Sequence, residues 1–145
     1  MEATKASKSV KSSHRRPISH GVGRRKAAIA RVWLQKGKGS VSVNGIDYKE
    51  YFKHDMTKLS AVTLPFVAYP NAASHYSVTA NVYGGGTSAQ ADAVKLAIAR
   101  AIFDVYEDAR PALKVHGLLS VDSRVKERKK YGQKAARRKF QFVKR

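Results

Sequence analysis

The stretch that decides the fold is HYSVTANVYGGGTSAQADAVKLAIARAI, residues 75–102. Apolar side chains stand at every second position over Tyr76–Val82, which predicts a half-buried β-strand. Three glycines then end the strand. Beyond them the apolar residues recur with a helical period, which predicts a long helix with one apolar stripe. The stripe consists of Val94, Ala97, Ile98, Ala101, Ile102 and Val105.

The start of this helix carries signals of its own. Thr87 or Ser88 is expected to cap it, because a hydroxyl oxygen can accept a hydrogen bond from a free first-turn amide. Asp92 lies in the first turns, where the helix dipole favours negative charge. A glycine-rich approach to a helix N-terminus can also bind an anion. Two interpretations of Gly84–Gly86 therefore stay open, a tight turn alone and a turn that also contacts an RNA phosphate.

Shorter elements precede the deciding stretch. Strands over Lys26–Leu34 and Ser40–Asn44 are expected to form a β-hairpin around the turn KGKG, and Asn44-Gly45 supplies a second turn. Residues 46–52 and 58–69 are expected to be short helical or irregular pieces. Pro65 within the second piece and Pro70 just after it disfavour one long helix there.

Another helix is expected to follow the deciding stretch. It opens at Arg110-Pro111 and ends at Gly117, and a last strand is expected over Leu118–Val121. The interleaved strands and helices predict an α+β domain, in which a small sheet carries its helices on one face.

The charge of the chain is concentrated near its two ends. It has 29 Lys and Arg against 10 Asp and Glu, a formal net charge of +19. Residues 1–26 carry eight basic and one acidic side chain, and residues 120–145 carry eleven basic and two acidic ones. We therefore expect a basic, disordered extension over 1–20, a globular body over 21–121 and an extended basic arm over 122–145. Such charge favours a polyanionic partner.

Several classes of function are disfavoured. Without cysteine there is no disulfide, zinc–thiolate site or cysteine nucleophile. The longest largely apolar stretch, Ala61–Tyr69, is too short to span a membrane. The five histidines are scattered, and the glycine loop lacks the lysine of a phosphate-binding P-loop. We expect no enzyme activity, catalytic residue, metal, cofactor, membrane contact or small-molecule substrate.

Two basic segments are the candidate RNA ligands. Arg24, Arg25 and Lys26 stand where a flexible, glycine-flanked linker becomes a strand, so a folded element can aim them at phosphates. In the C-terminal arm the apolar residues share no helical stripe, which argues against a membrane-surface helix. Basic residues with occasional aromatics suit a chain that follows a phosphate backbone and covers exposed bases.

Three motifs and the C-terminal ending resemble a known family. They are GVGRRKAAIARV (21–32), GGGTSAQADAVKLAIARAI (84–102), DSRVKERKKYGQKAARR (122–138) and QFVKR (141–145). In this order and spacing they are similar to the bacterial form of the ninth protein of the small ribosomal subunit. The resemblance implies a four-stranded sheet with helices on one face and a left-handed β-α-β crossover. The second domain of the fifth small-subunit protein shares that fold.

The resemblance also implies partners. They are the 3′ domain of small-subunit rRNA, neighbouring ribosomal proteins of the subunit head, and peptidyl-site tRNA, which the C-terminal tip approaches. The implied place is a cytoplasmic ribosome rather than an organellar one. The expected tRNA contacts are Lys144 and Arg145. The expected rRNA contacts are Arg24, Arg25, Lys26, Gly84, Gly85, Gly86, Arg124, Arg128, Lys129, Lys130, Lys134, Arg137, Arg138 and Lys139.

The sequence departs from the family pattern near the tip. Phe140 stands where many bacterial relatives carry proline, and Val143 where they carry serine, so the path of residues 139–143 stays open. Two other functions also stay open as alternatives. One is a free RNA-binding or RNA-chaperone protein. The other is a phosphotransferase with a related fold, which the missing loop lysine disfavours.

Overall fold

The computed structural model describes residues 16–142 of the 145-residue chain. The strands are β1 (Ser19–Arg25), β2 (Ala28–Lys36), β3 (Val41–Val43), β4 (Ile46–Asp47) and β5 (Tyr76–Tyr83). The helices are α1 (Tyr48–Tyr51), α2 (Met56–Ala68), α3 (Pro70–His75), α4 (Thr87–Val105) and α5 (Arg110–Val115), with a turn of 3-10 helix at Glu107–Ala109.

The strands form one mixed sheet in the order β1-β2-β5-β3-β4. Neighbouring strands are antiparallel except β3 and β5, which are parallel. The predicted α+β class is confirmed. The sheet has five strands rather than four, because a two-residue strand, β4, pairs with the outer edge of β3.

The first strand is the main departure from the sequence-based expectation, which treated Gly21 and Gly23 as part of a flexible linker. Both lie inside β1 and face α4. A Cβ atom on Gly21 would lie 2.1 Å from the carbonyl oxygen of Ala97, and one on Gly23 would lie 2.0 Å from that of Ala93. The glycines therefore mark a close approach of two backbones that leaves no space for a side chain.

The predicted hairpin of β2 and β3 is wrong, because β5 lies between these strands. The KGKG segment carries the chain across the end of β5. There the Gly37 amide donates to the His75 carbonyl at 3.0 Å and the Gly39 amide to the Tyr76 carbonyl at 3.1 Å. Asn44-Gly45 does turn the chain, with φ values of 52° and 83°, and it joins β3 to β4. Helices α1, α2 and α3 then connect β3 to its parallel partner β5.

Helix α4 lies across one face of the sheet and supplies the centre of the core. Its predicted apolar stripe is buried from Val94 to Ile102, and α2 packs against α4. The predicted capping side chains are wrong. Gly86 is the N-cap residue, and Thr87 and Ser88 already lie inside the helix, where neither makes a capping hydrogen bond. The strands contribute small and β-branched buried residues, which let the helix lie close to the sheet.

The end of the body agrees in part with the expectation. Helix α5 begins at Arg110, and Gly117, with φ of +63°, follows its end. The predicted strand over Leu118–Val121 is wrong. The Leu118 amide instead closes the helix by donating to the Leu113 carbonyl at 3.0 Å, and the Leu118 side chain is buried in the core. Residues 122–142 contain neither helix nor strand, and no helix within residues 16–142 is long and apolar enough to cross a membrane.

Candidate nucleic-acid interface

The turn between β1 and β2 carries three cationic side chains with different surroundings. Arg24 and Lys26 are exposed, and Lys26 occupies the turn with φ of 52°. The side chain of Arg25 is only 15% exposed. The turn therefore presents two free cations to solvent and directs the third inward.

Arg25 contacts the start of the C-terminal arm. Its Nη1 atom donates to the carbonyl oxygen of Arg124 at 2.7 Å and to that of Asp122 at 3.3 Å. Its Nη2 atom lies 3.2 Å from Asp122 Oδ2, and its Nε atom lies 3.8 Å from Asp92 Oδ2 on α4. A guanidinium held by two carboxylates and two carbonyls fixes the place where the arm leaves the body.

Asp122 is the acidic centre of this junction. Its carboxylate accepts hydrogen bonds from the Arg124 side chain and from the Arg124 backbone amide at 3.0 Å. These bonds, together with the charge of Arg25, hold the pKa of the Asp122 carboxyl well below its usual range. The Asp122 carboxylate is therefore ionised at neutral pH.

The glycine loop lies against the same turn. Gly84 and Gly85 have φ of +72° and +65°, and a Cβ on Gly85 would lie 2.9 Å from the Ala28 amide nitrogen. A Cβ on Gly84 would lie 2.5 Å from the Ala27 carbonyl oxygen. The loop thus needs glycine both for its backbone conformation and for its packing on the turn. The structure brings the loop, the cationic turn and the arm's first residues to one corner of the body.

The arm bends back on itself beyond this junction. Glu127 pairs with Arg137 across ten residues, and Lys130 Nζ lies 3.7 Å from the same carboxylate. The Arg137 hydrogen bonds are the main cause that lowers the pKa of Glu127. A shallow concavity of about 630 Å³ opens inside the bend. It is lined by Glu127 together with five cations, Lys126, Lys129, Lys134, Arg137 and Arg138.

The comparison with known proteins assigns this architecture. A family model described as Ribosomal protein S9/S16 matches residues 23–145. The chain belongs to the ribosomal protein S9/S16 family. The resemblance inferred from the sequence motifs is thereby confirmed.

Curated relatives of this S9/S16 family member are bacterial proteins named small ribosomal subunit protein uS9. The one from Cytophaga hutchinsonii is 46% identical over 129 residues, which cover 88% of this chain and 98% of the relative. The one from Christiangramia forsetii is 48% identical over 128 residues, with the same coverage of both chains. The one from Mesomycoplasma hyopneumoniae is 46% identical over 126 residues, covering 87% and 94%.

The expected RNA ligands of this S9/S16 family member fall into three groups. Arg24, Lys26 and Gly84–Gly86 share the corner of the body, whereas Arg25 is engaged internally. Among the arm ligands, Arg124, Lys130 and Arg137 are ion-paired, but their side chains are 85%, 51% and 83% exposed. The other arm cations on the expected list, Arg128, Lys129, Lys134, Arg138 and Lys139, are exposed as well.

The tip of the arm is described only in part. Phe140 is 58% exposed, and Lys134 Nζ lies 5.7 Å from the centre of its ring. Phe142 is 95% exposed. The expected tRNA ligands Lys144 and Arg145, and the departure at Val143, lie outside the described residues.

Two sets of residues in this S9/S16 family member were missed by reasoning from the sequence. The first set is Asp92 and Asp122, the partners of Arg25, which come from distant parts of the chain and show no shared local pattern. The second set lies on the sheet face opposite α4, where His20 and Trp33 pack ring to ring with centroids 5.3 Å apart. Side chains of a strand alternate between its two faces, so the sequence could have indicated that these residues share the outer face of β1 and β2. That inference requires β1 to be identified as a strand first.

Proposed function

We propose that this S9/S16 family member is a structural, non-catalytic component of the small ribosomal subunit of the cytoplasmic ribosome. In this proposal it binds the 3′ domain of the small-subunit rRNA in the subunit head, beside neighbouring ribosomal proteins. Its C-terminal tip contacts peptidyl-site tRNA. The family membership and the names of the bacterial relatives support the ribosomal role.

The observation that carries the RNA-binding part is the corner where the cationic turn, the glycine loop and the arm meet. Arg24 and Lys26 are exposed there, and residues 122–142 of the arm carry exposed cations and have no packed core of their own. Self-repulsion among these charges is relieved when phosphates take the place of solvent around them. An arm of this composition gains its structure from RNA rather than from its own side chains.

The contacts divide by chemistry. Exposed Arg and Lys side chains of the turn and the arm meet phosphates, which position the protein without selecting a sequence. Backbone amides near Gly84–Gly86 can add phosphate contacts where the loop opens α4. If about six to ten phosphates are neutralised, affinity falls by roughly three to five decades between about 50 and 200 mM salt.

Sedimentation of cell extracts tests the ribosomal assignment. Tagged protein is expected to travel with small subunits and whole ribosomes. It is expected to stay there when salt is raised moderately, because many contacts form together in the assembled particle. A protein found mainly at the top of the gradient, bound to diverse RNAs, would instead indicate a free RNA-binding or chaperone function.

Truncations test whether the arm contributes to assembly of the subunit and its tip to binding of tRNA. Deletion of residues 122–145 is expected to impair assembly of the small subunit, because all of the arm's charge is lost. Deletion of Lys144 and Arg145 alone is expected to leave assembly intact and to weaken retention of tRNA in the peptidyl site. Changing both to Gln is the matched control, since it keeps the length and removes the charge. Equal tRNA retention in all these subunits contradicts the role given to the tip.

A further inference from the structure

The sheet face opposite α4 is uncovered by other elements of the described chain. The outward residues of β1, β2 and β5 align across the strands in three rows, because the strands are antiparallel and in register. The rows are His20–Trp33–Thr79, Val22–Arg31–Asn81 and Arg24–Ile29–Tyr83.

The composition of these rows is not that of a face left to solvent. Arg24 and Arg31 are exposed and form no ion pair within residues 16–142, and none of the nine residues is acidic. The indole of Trp33 is partly exposed and faces the ring of His20 at 41°. Tyr83 is 50% exposed at the far end of the face. Cations, aromatic rings and an amide thus stand together without a counter-charge.

We propose that this face binds unpaired nucleotides of RNA. Bases stack on Trp33 and on Tyr83, and the guanidinium groups of Arg31 and Arg24 contact the phosphates between them. This inference rests on the proposed function and extends it to a second RNA-binding surface, which adjoins the corner at Arg24 and is separate from the arm.

The spacing of the rows fits two stacked bases rather than one. Trp33 pairs with Thr79 and Ile29 pairs with Tyr83, so four residues along the strands separate the two rings. At about 3.3 Å per residue, their backbone positions lie roughly 13 Å apart along the strands. Arg31 lies in the row between them, at the place where the backbone linking the two bases would pass. Flat aromatic platforms on an open sheet suit splayed single-stranded bases, whereas a paired RNA helix hides its base faces.

The chemistry disfavours a protein partner on this face. A close protein interface would take Arg24 and Arg31 out of water, and each would need a partner carboxylate to avoid a large desolvation penalty. Phosphates supply that negative charge on any RNA strand, and the ring faces accept any base. Thr79 and Asn81 remain available as hydrogen-bond groups for base edges.

Trp33 is the only tryptophan of the chain, so its fluorescence reports on this face alone. The full-length protein is titrated with a fluorescently labelled single-stranded oligouridylate and, separately, with a labelled RNA hairpin of equal length. Anisotropy of the label measures binding anywhere on the protein, and the indole emission measures contact at the face. We expect the single strand to quench Trp33 in step with binding, and the hairpin to bind with little quenching.

Variants assign the effect to the face. Tyr83→Ala is expected to weaken binding of the single strand about fivefold to a hundredfold, since stacking of a base on an aromatic ring is worth about 1–3 kcal/mol. Arg31→Ala is expected to weaken binding and reduce the quenching. Arg110→Ala is its matched control, because it removes the same charge from an exposed position on α5, away from the sheet. Urea unfolding of each variant checks that the body stays folded.

The outcomes separate this inference from the function on which it rests. Binding by anisotropy with unchanged Trp33 emission overturns the inference and leaves RNA binding by the corner and arm in place. Equal quenching by the hairpin overturns the preference for unpaired nucleotides. Trp33 that responds to no RNA but becomes shielded in assembled small subunits assigns the face to a neighbouring protein. Absence of any RNA binding contradicts the proposed function as well.

Discussion

Gly23→Ala tests the close packing of β1 on α4, which anchors the cationic corner to the core. The added Cβ would lie 2.0 Å from the carbonyl oxygen of Ala93 and 2.7 Å from the amide nitrogen of Ala97. Contacts of a Cβ below 3.0 Å are essentially never observed, so strand and helix must separate by about 1.0 Å at this point. Both obstacles are backbone atoms, and no rotamer change can relieve the clash.

The expected loss of stability follows from that separation. A gap of about 0.5–1 Å forfeits a quarter to a half of each dispersion contact along the strand–helix interface. Overpacking of a well-packed core costs about 1–3 kcal/mol, occasionally more. Because neither backbone can yield alone, we expect about 3 kcal/mol or more for Gly23→Ala. For a body of this size that lowers the unfolding midpoint by roughly 10 °C or more.

Urea and thermal unfolding, followed by circular dichroism, measure this loss. Gly86→Ala is the matched control, because a Cβ at Gly86 meets nothing within 4 Å and φ there is −97°. Both substitutions reduce the conformational entropy of the unfolded chain by a similar amount. The difference between their free energies of unfolding therefore measures the cost of the close contact between β1 and α4. Gly86→Ala is expected within about 0.5 kcal/mol of wild type, since the poorer N-cap offsets the gain from the unfolded state. If Gly23→Ala is no less stable than Gly86→Ala, the close approach is refuted.

Three further predictions concern the turn of β3 and the junction of the arm. Asn44→Ala should destabilise the body by about 1–3 kcal/mol in urea unfolding. The reason is that the Asn44 side chain accepts a hydrogen bond from the backbone amide of Val82 at 2.9 Å and donates one to the Val82 carbonyl at 3.0 Å. A variant as stable as wild type refutes this prediction. Arg24→Met should reduce the slope of log affinity for RNA against log salt concentration by about 0.7–0.9, as expected for one lost phosphate contact. Arg25→Met should change this slope less, because Arg25 is already bound to groups of the protein. Equal changes in the two variants contradict the internal placement of Arg25. Because the pKa of Asp122 is lowered, its carboxylate stabilises the folded state fully above the ordinary value of 3.8, and this stabilisation is lost as pH falls toward the lower folded-state pKa. Backbone NMR signals of the arm's first residues should therefore shift only in acid, and Asp122→Asn should abolish that shift.

The central strand and helix could be predicted because each is specified by its own local period. Alternation over β5 and the apolar stripe of α4 both reflect burial against the same core. The turn at Asn44-Gly45 and the end of α5 at Gly117 were likewise local signals, readable from residues that favour positive φ. These elements needed no knowledge of distant contacts.

The errors came from long-range pairing. Glycines in β1 indicated a linker, yet their function is to admit α4, which follows about seventy residues later. The prediction of a β2–β3 hairpin was wrong because β5 lies between these strands in the sheet. No local sequence pattern indicates that position of β5. Among the expected site residues, Arg25 differs for the same reason, since its partners Asp92 and Asp122 are brought to it only by the finished fold.

Strand β1 also sets the distance between the points where the two basic segments of the chain join the body. The N-terminal segment enters the body at Ser19, and the C-terminal arm is clasped at Arg25, the other end of the same strand. Seven residues of strand hold these points roughly 20 Å apart. If RNA is bound at both points, the strand holds the two contacts at that separation. Such bivalent attachment raises the effective concentration of the second contact once the first has formed.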